Sequence, residues 1–166
     1  MLLKAISDFE RIADISMELL ASAEEIKEKQ LKFSESAQKE LTVLFDAVNE
    51  IADLSMQSFI NTDLEAAYKV VTLRRIIDDL KETMRSKHIV RLQQGGCSIG
   101  VGFVWSDILT NLERIANHCA NISGCIIEYS SEYAMNIHRL QHKVMKTDMK
   151  LIELLDSYAE KYALED

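Results

Sequence analysis

A chain of 166 residues without proline, with four of its five glycines crowded between Gly95 and Gly102, contains almost nothing that stops a helix. Proline removes a backbone donor and clashes with the preceding turn, and both proline and glycine punctuate regular structure. Outside one short window, helices can therefore run long. Aromatic residues are only 7% of the chain and β-branched runs are short, so a sheet has little to build on. The expectation is an all-α protein, one domain over residues 1–166, long enough to bury a substantial core.

Apolar spacing marks five helical stretches. The first, about Leu2 to Glu28, carries Phe9, Ile12, Met17, Leu19, Leu20 and Ala23 on or near its apolar face. The second, about Ser34 to Ile60, has the seam Ala37, Leu41, Leu44, Val48, Ile51 and Ser55, with Ser34 as N-cap. Asn61-Thr62-Asp63 interrupts the pattern and can cap a third helix, about Leu64 to Gln93, whose seam is Ala66, Val70, Leu73, Ile77, Leu80 and Met84. Gly95-Gly96 ends it. The fourth, from Val101 or Ser106 to about Glu128, uses Leu109, Leu112, Ile115, Cys119, Ile122 and Ile126. A break at Tyr129-Ser130-Ser131 leads to the fifth, about Glu132 to Tyr162, with Ile137, Leu140, Val144, Leu151, Leu155, Tyr158 and Tyr162 as its stripe. Long helices on short turns predict an up-and-down bundle of about five antiparallel helices.

Charge and cysteine content narrow the function. A net charge of −8 argues against a nucleic-acid binder, which needs a cationic face, and against docking on anionic lipid. Metal cations or basic partners remain open. Cys97, Cys119 and Cys125 are odd in number and not closely paired, as reduced thiols of an intracellular protein are. The longest uncharged run, Leu92 to Ser106, is too short and glycine-rich to span a bilayer.

One four-residue string occurs twice. Glu10-Arg11-Ile12-Ala13 is followed by Asp14, and Glu113-Arg114-Ile115-Ala116 by Asn117. Positions i and i+4 share a helical face, so Glu10 with Asp14, and Glu113 with Asn117, could each offer two oxygens to one point. Hard cations want several such oxygens, and facing helices can supply them. The same spacing also suits a solvated acidic surface at Glu10/Asp14. At Glu113/Asn117, with His118 and Asn121 beyond, it suits polar bonding between helices.

Other chemistries fit poorly. His138 and His142 stand four apart, but no Glu lies between them, so the metalloprotease pattern is absent. None of His88, His118, His138 or His142 has a Glu three residues earlier, as a di-iron carboxylate bundle requires. The glycine window lacks the lysine of a phosphate loop and reads as a turn, and Trp105 reads as core or cap packing.

The repeated strings resemble the PhoU family, helical proteins associated with bacterial phosphate uptake, whose motif is Asp-Leu-Glu-Arg-Ile-Gly-Asp-His followed by Asn-Ile-Ala. Asp8 to Asp14 matches one copy; Leu112 to His118, then Asn121-Ile122-Ser123, matches a second. Val90 to Gln93, Gly96-Cys97-Ser98, Phe103, Asp107 to Asn111 and Glu160 to Leu164 are similar to one branch of it. That branch is the cytoplasmic C-terminal domain of bacterial sodium/phosphate cotransporter-like membrane proteins.

The resemblance implies a three-helix unit at residues 34–128, with 1–28 the motif helix of a preceding partial unit and 132–163 a C-terminal addition. It implies a non-enzymatic regulatory domain at the inner face of the membrane, whose partner is a transmembrane transporter domain of the same full-length protein. It also implies a divalent or ferric metal site carried by Glu10, Asp14, Asp78 and Glu113, beside a polar patch of Arg11, Arg114, Asn117, His118 and Asn121. Two positions depart from the family pattern. Asn117 replaces the second Asp, and Arg74 stands where an acid precedes Asp78. A guanidinium only donates and repels cations, so Arg74 would instead hold Glu113 or Asp78 in a salt bridge. Two alternatives stay open: a carboxylate metal protein (enzyme or metal store), and a bundle whose unpaired first helix is covered by a second copy in a homodimer.

Overall fold

The computed structural model describes the backbone of residues 2–133 and 140–164, and the side-chain surroundings of 3–130 and 150–164. Among these residues there are five helices and no strand: α1 (Leu2–Glu28), α2 (Glu35–Asn61), α3 (Leu64–Gln93), α4 (Ile99–Tyr133) and α5 (Leu140–Lys161). The expected all-α up-and-down bundle is the observed architecture.

Local chemistry sets the ends. Ser34 Oγ accepts from the Ala37 N–H at 3.2 Å and opens α2. Asp63 Oδ1 accepts from the N–H groups of Glu65 (2.9 Å) and Ala66 (3.1 Å) and opens α3. Thr62, between them, takes the left-handed conformation at φ 52°. Gly95, at φ 72°, turns the chain out of α3 where a side chain would be strained.

Two expectations about the elements need correction. α4 does not break at Tyr129-Ser130-Ser131 but continues to Tyr133, and so takes in Glu132, expected to open the last helix. Serine and tyrosine cost a helix only a few tenths of a kcal/mol, and extending a formed helix gains one bond per residue fixed. Ile137 and His138 lie outside the described residues, as do the surroundings of Leu140, His142 and Val144. On α1 the face toward the bundle is Ala5, Asp8, Ile12, Ile15 and Leu19, while Met17, Leu20 and Ala23 point outward. This helix carries apolar residues on two sides, and periodicity alone does not say which side meets a neighbour.

The core lies between α2, α3 and α4, where the expected α3 and α4 seams are all buried. α2 and α4 run parallel and touch through small residues. Ser55 Oγ donates to the Cys119 carbonyl at 3.1 Å, and the hydroxyls of Ser58 and Ser123 lie 2.9 Å apart. Burial pushes the Cys119 thiol up to about 12, which makes it an inert packing group. All three cysteines are free thiols.

At one end, Trp105 of α4 collects the elements around it. Phe33 packs on it at 5.4 Å between ring centroids, His88 stacks at 5.7 Å, and the Arg91 guanidinium lies 5.4 Å above the ring. Arg91 also donates twice to the buried Glu40, each bond 2.8 Å long, tying α3 to the first turns of α2.

α5 lies along α3, and its C-terminal end reaches α2. There Lys161 Nζ donates to Glu50 at 2.6 Å and the Tyr162 hydroxyl donates to the same oxygen. Burial acts to raise the Glu50 pKa, but the bonds from Lys161 and Tyr162 together with the Lys161 charge hold it below its ordinary 4.5. Burial and the facing Glu50 carboxylate push the Tyr158 phenol up to about 12. A carboxylate depressed in the folded state adds stability above its unfolded pKa and loses it as pH falls through the folded value. Docking of α5 should therefore weaken on acidification below pH 4.5, read as faster limited proteolysis of α5. Glu50→Gln is expected to remove that acid step and loosen α5 already at neutral pH.

Candidate functional site

The two motif helices, α1 and α4, pack against each other antiparallel, and the motif's polar residues do the joining. Asp8 is buried in the contact, where a lone carboxylate would be costly. It is satisfied from α4: the His118 Nδ1–H donates to its Oδ1 at 2.8 Å and Asn121 Nδ2 donates to the same atom at 3.2 Å. One turn of helix away, Arg114 donates to Glu18 of α1 at 2.7 Å and to Asn111 at 2.9 Å.

These two clusters occupy equivalent places in the repeat, though different side chains complete them. Aligning the strings puts Asp8 opposite Asn111 in register, and Glu18 opposite Asn121. Asp8 meets Asn121, and Asn111 meets Glu18 through Arg114, so a pseudo-twofold axis runs between the helices. Of the expected polar patch, Arg114, His118 and Asn121 serve this contact. Arg11 instead lies exposed, 3.7 Å from Asp14, a surface pair of little energetic consequence.

The remaining patch residue, Asn117, faces α3, as does Glu113. Arg74 Nε donates to Asn117 Oδ1 at 2.8 Å and its Nη2 pairs with Asp78 Oδ2 at 3.0 Å, while Lys81 donates to Glu113. Burial pushes the Asp78 carboxyl up, against the pull of Arg74, and its Oδ1 is buried with no hydrogen-bond partner among the described residues. Arg74 thus holds Asp78, as the sequence suggested for one of two carboxylates; Glu113 belongs to Lys81.

The four proposed metal ligands fall in two places. Glu10 and Asp14 stand on the outer face of α1, whereas Asp78 and Glu113 sit between α3 and α4. Among the described residues no three His, Cys, Asp or Glu side chains are grouped so as to hold a metal ion. At the inner pair, a guanidinium and an ammonium already neutralise both carboxylates, and a cation added there would meet like charge. The residues present do not fit a metal centre.

Asp8, Glu18, Asn111 and Lys81 belong to these clusters but were not singled out from sequence. Asp8 and Asn111 carried a signal, because both stand two residues before the repeated Glu. Laying the two copies antiparallel, rather than stacking them, brings them to the contact.

The three-helix segment that supplies α4 and its partners has known relatives. The family model for the PhoU domain matches residues 41–126, from the first turns of α2 almost to the end of α4. The chain belongs to the PhoU family. The phosphate-specific transport system accessory protein PhoU homolog 1 of Thermotoga maritima is 26% identical over 126 residues, covering 76% of this chain and 53% of that protein. The chain thus spans about half the length of that relative. No solved structure matches it. The PhoU match includes the second motif copy on α4 together with all of α3 and most of α2, so Arg74, Asp78, Lys81, Glu113 and Asn117 all lie inside the family domain.

Proposed function

We propose that this PhoU-family chain is a non-catalytic regulatory domain of phosphate transport, acting by docking a helical face on a transporter partner. The observation that carries the reading is the family match across α2, α3 and α4. The matched relative is a phosphate-transport accessory protein, which supports the same role here. The polar groups of the second motif copy, and Asp8 of the first, are consumed in helix–helix bonds rather than displayed in a cleft, as suits a binding module.

In this reading, residues 34–128 form the three-helix PhoU unit, 1–28 is a helix equivalent to α4, and 132–163 is an addition. The partner is a transmembrane sodium/phosphate transporter domain of the same full-length protein, which places this domain at the inner face of the membrane. No helix among the described residues is long and apolar enough to cross a membrane, so contact with a transporter would run through docking or other segments.

The test is phosphate uptake in the organism that encodes the chain. Deleting the coding region for α1–α5 in frame is expected to leave uptake of labelled phosphate unresponsive to external phosphate. Normal regulation after the deletion would overturn the reading.

A further inference from the structure

α1 has an apolar face that none of the described residues covers. Ile6 is 51% exposed, Met17 65% and Leu20 50%, all on the side turned away from α4. Among the described residues α1 packs along α4 alone, apart from an edge contact of Phe9 with Phe59 of α2 at 5.2 Å. Exposed apolar surface of this kind on a helix marks a place where another element belongs.

The pseudo-twofold axis says which element. Carrying α1 onto α4 by their shared motif places Ile6 on Leu109, Ala13 on Ala116, Glu10 on Glu113 and Asp14 on Asn117. In α4 that face is covered: Leu109 is 2% exposed and Ala116 1%. Its polar pair is met by α3, an antiparallel helix that brings Lys81 to Glu113 and Arg74 to Asn117. Those two cationic side chains stand seven residues apart, two turns of one helical face.

We infer that the outer face of α1 is a docking site for an antiparallel amphipathic helix carrying two basic residues one heptad apart. The ammonium or guanidinium groups of that helix meet Glu10 and Asp14 while its apolar stripe covers Ile6, Ala13, Met17 and Leu20. Two acids at Glu10 and Asp14, where α4 has one acid and one amide, make the demand for cations stronger than in α4. Asp14 gives up only its weak surface contact with Arg11 to accept the partner. Glu10 and Asp14 are thus recognition charges for a basic helix. The inference rests on the docking reading above and adds the partner's chemistry.

The probe is a labelled synthetic peptide with the sequence of α3, Leu64–Gln93, titrated against the whole chain by fluorescence anisotropy. Saturable binding that weakens as salt rises is expected. A peptide with Arg74→Glu and Lys81→Glu should bind at least about tenfold more weakly, since two attractive pairs become repulsive. That loss should be recovered when the acidic peptide meets the protein variant Glu10→Lys/Asp14→Lys, whose substitutions are on the surface. Absence of binding, or binding indifferent to charge reversal, would overturn the inference. So would sedimentation showing a dimer that Met17→Glu dissolves, because the face would then belong to a second copy. None of these outcomes bears on the phosphate response, which is read separately in cells.

Discussion

Arg91→Ala should lower the unfolding free energy by about 3–5 kcal/mol, because it strands the buried Glu40 carboxylate without its counter-charge. Glu40 is 5% exposed and takes both of its short bonds from this one guanidinium. The pair sits where α2 begins and α3 ends, so its loss also frees the α3 terminus from the first turns of α2. Small domains have only about 5–15 kcal/mol in total, and a loss of this size brings the variant near its unfolding midpoint at modest temperature. Urea denaturation followed by circular dichroism measures it directly. The control is the double replacement Glu40→Leu/Arg91→Leu, which removes both charges and should cost clearly less than Arg91→Ala. Equal losses would mean that packing, rather than the stranded charge, dominates this corner.

Trp105→Ala is the second large effect, at about 3–5 kcal/mol for a buried indole replaced by a methyl group. Trp105 is 1% exposed and touches Phe33, His88 and Arg91, so the cavity opens beneath three side chains at once. Its Nε1 has no hydrogen-bond partner among the described residues, so Trp105→Phe forfeits no bond there and should cost much less. Because Arg91 rests on the indole face, the two truncations share a contact and should not add. The double variant Arg91→Ala/Trp105→Ala is expected to lose less than the two single losses combined. Strict additivity in the same denaturation series would show that the stacking contributes nothing.

These effects concentrate at one end of the molecule, while the motif contact lies nearer the other. This separation lets the domain's stability be altered without touching Asp8, His118 or Asn121. A variant of the Trp105 corner that still folds should therefore keep the peptide response expected of the α1 face.

How much of this was readable beforehand depends on range. The seams of α3 and α4 came out residue for residue, since their apolar rows face a neighbour along their whole length. The caps at Ser34 and Asp63 and the turn at Gly95 followed from side chains acting within four residues of their own backbone. The α4 boundary failed because Tyr129-Ser130-Ser131 resembles a loop in composition but has neither proline nor glycine to halt a helix already under way.

The candidate site was half legible. Repetition of Glu-Arg-Ile-Ala identified the right helices and most of the polar patch. It could not tell that Glu113 would meet Lys81 or that Asp8 would turn inward while Glu10 turned out. Helical content, turn chemistry and family kinship are local or composition-borne properties, so the string of residues fixes them. Which side of α1 is covered, and which group each carboxylate faces, depend on partners 32, 96 or 110 positions away in the chain. No spacing rule reaches that far, because those pairings exist only once the helices have chosen their neighbours.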